Sequence, residues 1–338
     1  MKKITIYDLA ELSGVSASAV SAILNGNWKK RRISAKLAEK VTRIAEEQGY
    51  AINRQASMLR SKKSHVIGMI VPKYDNRYFG SVAESFEEMA RERGLLPIIT
   101  CTRRRPELEI EAVKAMLSWQ VDWVVATGAT NPDKITELCQ QAGVPTVNLD
   151  LPGTLAPSVI SDNYAGARAL TDKILDNSAR RHGRLAPLTF VGGRSSDHNT
   201  LERLRGFRDA HQARGLSVPD ENVLAPGYSK GKVEACMQAR FSTPEEHLQG
   251  LFVNSTISLE GVVRWLAQLG LTGTEQPPMG CFDWDPFVYL LGHDIDMVQQ
   301  NVPAMLEAVF SIIDAGEARQ QLVEIPPLLI GCLLYTSP

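Results

Sequence analysis

The sequence predicts an α/β protein in two parts: a small all-α headpiece, then a larger two-lobed core of doubly wound parallel sheets. Three observations carry this expectation. Charge is split: residues 1–63 hold thirteen Lys/Arg against five Asp/Glu, and the rest hold 24 against 33, although the net formal charge is only −1. The first fifty residues show helical apolar spacing broken by a glycine turn. From Ser64 onward, short apolar runs alternate with amphipathic stretches, the β–α pattern of parallel sheets. A cationic module on an acidic body points to one part that meets a polyanion and one that does not.

The headpiece reads as three helices. Thr5 with Asp8 three positions later is a capping-box start, and Leu9, Ala10 and Leu12 follow as an apolar stripe. Ser13-Gly14-Val15 is a tight corner, with Gly14 free to take positive φ. Ser16 caps a second helix over Ala17 to Leu24, with Ala19, Val20, Ile23 and Leu24 on its packing face and Ala17, Ser18, Ser21 and Ala22 on the other; Asn25-Gly26 ends it. A third helix spans Ser34 to Gln48, with Leu37, Val41, Ile44 and Ala45 inward and Gly49 as its stop. A helix, a glycine corner and a second helix with small polar residues at its start is how a recognition helix enters the major groove. The basic run Lys29-Lys30-Arg31-Arg32 in the next loop suits phosphate contact, as a plain helical cap would not require.

The stretches IYDLAELSGVSASAVSAILNG and RISAKLAEKVTRIAEEQGYAINRQASMLRSKK resemble the N-terminus of the lactose-repressor (LacI) family. The longer loop NGNWKKRRI is similar to the branch of the fructose and sucrose repressors. The resemblance implies base reading by Ala17, Ser18 and Ala22. It also places Thr5, Tyr7, Ser16, Ser21, Asn25, Lys30, Arg31 and Arg32 at the DNA. Ala17 and Ala22 can offer only a methyl, for instance to thymine, and Ser18 discriminates poorly, so the basic loop is expected to carry much of the affinity. Domain boundaries are expected at 1–50 for the headpiece and 51–63 for a hinge. Within the hinge, Asn53 to Arg60 is too short to be a stable helix alone. By resemblance, Asn53 and Ala56 contact DNA there, and Leu59 enters the minor groove as an apolar wedge. Ile52 stands where many relatives have proline.

The body, 64–330, is expected to hold a first lobe of about 64–163 plus 301–330 and a second of about 164–300. Strands are read at 66–72, 96–100, 123–127, 145–149, 159–161, 188–191, 251–253 and 280–282. Glu324–Ile330 reads as one last strand. Helices are read at 80–93, 107–119, 132–142, 164–175, 201–214 and 258–269. The resemblance extends over this region and implies a core like that of periplasmic sugar-binding proteins, with a ligand in the crevice at the strand carboxyl ends. It assigns Tyr78, Phe79, Asp150, Arg203 (in Arg203-Leu204-Arg205-Gly206-Phe207), Tyr228, Asn254, Asp283 and Gln300 to the effector. Carboxylates accept from vicinal hydroxyls, a guanidinium donates twice, and an aromatic face covers C–H surface. Trp284 and Ser255 depart from the family pattern, and Arg194 with Arg203 would suit a sugar phosphate, opposed by Asp197.

Other classes are weighed on the same residues. No stretch approaches the ~20 apolar residues of a membrane span, and the start lacks a signal-peptide core, so a cytoplasmic protein is expected. Cys101, Cys139, Cys236, Cys281 and Cys332 are widely spaced and read as reduced thiols. Gly192-Gly193 lacks the spacing of a phosphate loop, and His182, His198, His211 and His247 read as surface residues. No metal, cofactor or enzymatic activity is expected. The sequence therefore points to a homodimeric regulator, in the first place a repressor, that binds operator DNA under control of a sugar or sugar phosphate. A sugar sensor without an operator, or a sugar-modifying enzyme, stays open. The tail 331–338 lacks the arginine-rich ending of relatives and is read as atypical.

Overall fold

The computed structural model describes residues 4–50, 63–241, 249–271, 275–290 and 295–331. The chain divides into two compact units, Met1–Ser64 and His65–Pro338. The expected hinge residues Asn53, Ala56 and Leu59 lie outside the described residues, as do His247, Cys332 and the tail beyond Gly331.

The first unit contains α1 (Ile6–Ser13), α2 (Ala17–Leu24) and α3 (Ala35–Glu47). The capping box forms: the Thr5 hydroxyl accepts from Asp8 N–H, and the Asp8 carboxylate accepts from Thr5 N–H at 2.7 Å. Gly14 takes φ 72 at the corner, a conformation only glycine adopts without strain. Ser16 and Ser34 cap the next two helices by accepting from Ala19 and Leu37 N–H. Leu9, Val20, Ile23, Ala38, Val41 and Ala45 are buried together, with Trp28, Ile33 and Tyr50 packed against them. One expectation fails here: Ala22, assigned to the exposed face of α2, is only 7% exposed. It sits in the last turn, where the following loop folds back and Asn27 N–H donates to the Ala22 carbonyl.

The second unit holds two sheets. The first has strand order β11-β5-β4-β3-β1-β2 and is parallel throughout: β1 (Val66–Val71), β2 (Leu96–Cys101), β3 (Trp123–Thr127), β4 (Thr146–Leu149), β5 (Ser158–Ser161) and β11 (Leu322–Ile325). The second has order β12-β10-β9-β8-β6-β7: β6 (Thr189–Val191), β7 (Val223–Leu224), β8 (Leu251–Val253), β9 (Met279–Phe282), β10 (Ile295–Gln299) and β12 (Leu328–Ile330). Among the described strands of this sheet, only the β10–β12 pair is antiparallel.

Helices cover both faces of each sheet, so the strands read as near-continuous apolar runs. The first carries α4 (Arg77–Glu92), α5 (Pro106–Ser118), α6 (Pro132–Gln141) and α11 (Val302–Ala315). Phe86 of α4 stacks on Phe310 of α11 with centroids 5.6 Å apart. The second carries α7 (Asn163–His182), α8 (His198–Ala213), α9 (Lys230–Arg240) and α10 (Thr256–Gln268). Phe190, Phe207 and Phe252 interlock beneath α8, each such buried side chain contributing about 1.5–3 kcal/mol.

Among the described residues the chain crosses between lobes three times, after β5, after β10 and after β11. The last crossing corrects the sequence reading of Glu324–Ile330 as one strand returning to the first lobe. Pro326-Pro327 removes two consecutive backbone donors, ends β11, and sends Leu328–Ile330 to the edge of the second sheet. Four further elements named here, β7, β10, α9 and α11, were absent from the sequence reading. β10 was hidden by Asp296, buried inside the strand where it accepts from Asn177. His211 is also not a surface residue: its ring is buried, accepting from Leu188 N–H at Nε2 and held at Nδ1 by the Phe207 carbonyl.

Candidate functional site

A cavity of about 230 Å³ opens at the carboxyl ends of the parallel strands of the second unit. Asp150 follows β4, Asp283 follows β9, and Arg103 and Arg104 follow β2, while Tyr78 and Phe79 come from the first turn of α4. Backbone strain concentrates here. Arg103, Arg104, Asp150 and Asp283 all take positive φ between 52 and 75, a region that non-glycine residues enter at a cost of about 1–3 kcal/mol.

The two acids are buried and differently supported. Asp150 accepts from Asn199 Nδ2 at 3.2 Å; its pKa is raised to about 6 by burial, against the lowering effect of Arg104 and Arg203. Asp283 accepts from Gln300 Nε2 at 2.6 Å; burial raises its pKa too, with Arg203 opposing. The Gln300 Oε1 atom is buried and finds no donor among the described residues.

Arg203 ties this arrangement together. Its Nε donates to Asn163 Oδ1 at 2.7 Å and its Nη1 to the Asn254 carbonyl at 2.6 Å, leaving Nη2 for the cavity. Its guanidinium lies 3.6 Å from the centroid of the Phe282 ring. Asn163 in turn donates to Asn199 Oδ1, completing a chain from Arg203 to Asp150. One turn on, a Cβ at Gly206 would stand 2.4 Å from the Tyr164 carbonyl. A glycine there lets α8 approach α7 closely enough for Arg203 to reach Asn163.

Of the residues expected from sequence, Tyr78, Phe79, Asp150, Arg203, Tyr228, Asp283 and Gln300 all line the cavity. Asn254 stands behind it, fully buried, with Nδ2 3.4 Å from the Thr200 and Tyr228 hydroxyls; its neighbour Ser255 reaches the cavity instead. Sequence reading missed Asn199, Arg103 and Arg104. The Arg103-Arg104-Arg105 run directly after a parallel strand was the available signal for the two arginines. Arg104 lies 5.6 Å from the Phe79 centroid and 5.2 Å from that of Tyr228, joining the two lobes by cation–π contact. Arg103, Arg104 and Arg194 line the cavity with no carboxylate in ion-pair range among the described residues.

In the first unit, Tyr7 is 75% exposed, and Lys29, Lys30, Arg31 and Arg32 are exposed in the loop between α2 and α3. Thr5 is bound to Asp8, Ser16 caps α2 and lies 3.0 Å from the Ser18 hydroxyl, and Asn25 donates to the Ser21 carbonyl. Among the described residues no group of His, Cys, Asp and Glu could hold a metal, and no helix is long and apolar enough to cross a membrane.

A helix-turn-helix unit with an exposed basic loop, carried with a two-lobed ligand-binding core, defines a DNA-binding transcription regulator rather than an enzyme. Residues 5–53 match the family described as bacterial regulatory proteins, lacI family, and residues 67–309 match a periplasmic binding protein domain. The chain belongs to the LacI family of bacterial regulatory proteins. It is similar to the ribitol operon repressor of Klebsiella aerogenes, 93% identical over 194 residues, or 57% of this chain and 72% of that protein. It is 31% identical to the sucrose operon repressor of Klebsiella pneumoniae over 89% of this chain and 88% of that one. A lac repressor dimer, solved bound to operator and an anti-inducer, shares the fold with a TM-score of 0.81 at 20% identity, covering 97% of this chain and 98% of that one.

Proposed function

We propose that this chain is a homodimeric repressor of a polyol-utilisation operon that releases its operator when a small polyol or sugar occupies the core cavity. The arrangement of the cavity carries the reading. Two buried carboxylates and one uncommitted guanidinium nitrogen offer partners to several hydroxyl groups, and the Phe79 and Tyr228 rings offer apolar faces. The similarity to a ribitol operon repressor favours a five-carbon polyol or a compound derived from it. Asp150, Asp283, Arg203 and Gln300 contact the effector, and Asn254 positions Arg203 and Tyr228 from behind. A second reading, a phosphorylated polyol, is favoured by Arg103, Arg104 and Arg194, which line the cavity with no carboxylate in ion-pair range among the described residues.

Ribitol, other pentitols, pentoses, hexoses and their phosphate esters should be compared by thermal shift and by release of labelled operator. An effector present at 100 times its Kd stabilises the protein by about 2.7 kcal/mol. Operator and inducer must weaken one another's binding by the same factor, because the coupling is reciprocal. A compound that stabilises the core yet leaves operator affinity unchanged would instead support a sensor without operator function.

On the DNA side, Lys30 is assigned to a phosphate. Lys30→Ala is expected to weaken binding to all duplexes alike and to reduce the slope of log affinity against log salt by about one. An unchanged slope in a salt titration removes Lys30 from the interface.

A further inference from the structure

The front of α2 holds little with which to read bases. Ala17 offers a half-buried methyl, and Ala22 is buried. Ser18 is exposed, but its hydroxyl lies 3.0 Å from that of Ser16, which caps the helix. The Asn25 amide could pair with adenine, but it donates to the Ser21 carbonyl at 2.7 Å and lies 3.3 Å from the Ser21 hydroxyl. No side chain on this face can place two donors on one guanine.

The loop after α2 is the opposite case. Trp28 and Ile33 pack against the helical core, and Ile33 N–H donates to the Trp28 carbonyl at 2.9 Å. Inside that clasp Arg31 N–H donates to the Asn27 carbonyl at 3.2 Å and Arg32 N–H to the Lys29 carbonyl at 3.1 Å. The loop is thus a pinned, hydrogen-bonded excursion, and its exposed side chains include Asn27 and the four cations Lys29 to Arg32. The Lys29 ammonium rests 5.3 Å from the Trp28 ring centroid, whereas Arg31 and Arg32 have no carboxylate partner among the described residues. Arg32 takes φ 55, a position glycine or asparagine occupies with less strain.

We propose that the Arg31–Arg32 pair reads guanine in the operator half-site, so that the loop rather than α2 carries the principal base discrimination of this headpiece. The inference rests on operator binding as proposed above, and it moves Arg31 from a phosphate to a base edge. A guanidinium places two parallel donors on O6 and N7 of guanine, while lysine keeps the charge as a point and loses the fork.

The full chain should be used to select from a randomised duplex pool, alongside Arg31→Lys, Arg32→Lys and the double lysine variant, with far-UV circular dichroism and thermal melts to confirm folding. The wild type is expected to enrich half-sites containing a guanine. The double variant is expected to lose about tenfold discrimination at that position, with preference elsewhere and the salt slope retained. One single variant should reproduce the loss and so identify the reading arginine. If the double variant enriches the same sequence as sharply as the wild type, both arginines are phosphate contacts only and the inference falls, while operator binding stands. If the wild type itself enriches no sequence, operator reading fails with it.

Discussion

Arg203→Met is expected to lower core stability by about 3 kcal/mol and to abolish the effector response. The substitution leaves Asn163 Oδ1 and the Asn254 carbonyl without the donors they now have, each loss costing about 1–3 kcal/mol in a buried setting. It also removes one of the two cations, Arg104 being the other, that oppose the burial of Asp150 and Asp283, so both carboxyls shift further toward the protonated form. For a unit of this size a loss of about 3 kcal/mol corresponds to a fall in Tm of about 6–12 °C. Calorimetry with and without the effector measures both effects. A variant that melts like the wild type and still releases operator on effector addition would remove Arg203 from the centre of the site. Arg203→Lys separates charge from geometry: it keeps the cation but cannot reach Asn163 and Asn254 with two fixed donors.

The second large effect is on pH. With its pKa raised to about 6 by burial, Asp150 is an anion at pH 7.5 and a neutral acid at pH 5. An ionised carboxylate accepts from two vicinal hydroxyls, whereas a protonated one has lost an acceptor site. Effector affinity is therefore expected to hold above pH 7 and to fall by about tenfold per pH unit below 6. The stability contribution runs the other way. The pKa of Asp150 in the folded chain lies above the ordinary 3.8, so the folded state takes up the proton first. This group's contribution improves as pH falls through about 6 toward 4 and is lost as pH rises. Weakened binding near pH 5 that accompanies an unchanged or raised melting temperature from this group distinguishes titration of the site from acid unfolding. Asp150→Asn should flatten the binding profile below pH 7; a profile as steep as the wild type's would assign the titration elsewhere.

How much of this was legible differs between the units. The headpiece follows from local chemistry: a Thr5–Asp8 box, a Gly14 corner and the Ser16 cap are each fixed within a few residues and form as read, while Ser34, read as the first residue of the third helix, caps it instead. Ala22 was misplaced because a helical wheel does not contain the loop that folds back over the last turn. In the core, the cavity residues embedded in a motif or directly ending an apolar strand could be named from sequence. Asn199 could not: it matters only because α8 passes over the first lobe's Asp150, 49 positions away in the chain. Nor could Asn254 be separated from Ser255, since adjacent residues leaving a strand point to different sides and only the packed structure shows which one meets the cavity.

The left-handed backbone at Asp150 and Asp283 also limits how this site can diverge. At φ 75 and 74, asparagine and glycine are accommodated with little penalty, while β-branched and bulky residues are true outliers. Mutational drift at these two positions is thereby channelled toward swapping an acid for its amide. Such a swap exchanges an acceptor oxygen for a donor nitrogen and leaves the scaffold untouched. Descendants of this chain can change their preferred metabolite by retuning donors and acceptors in place, without rebuilding the loops that hold them.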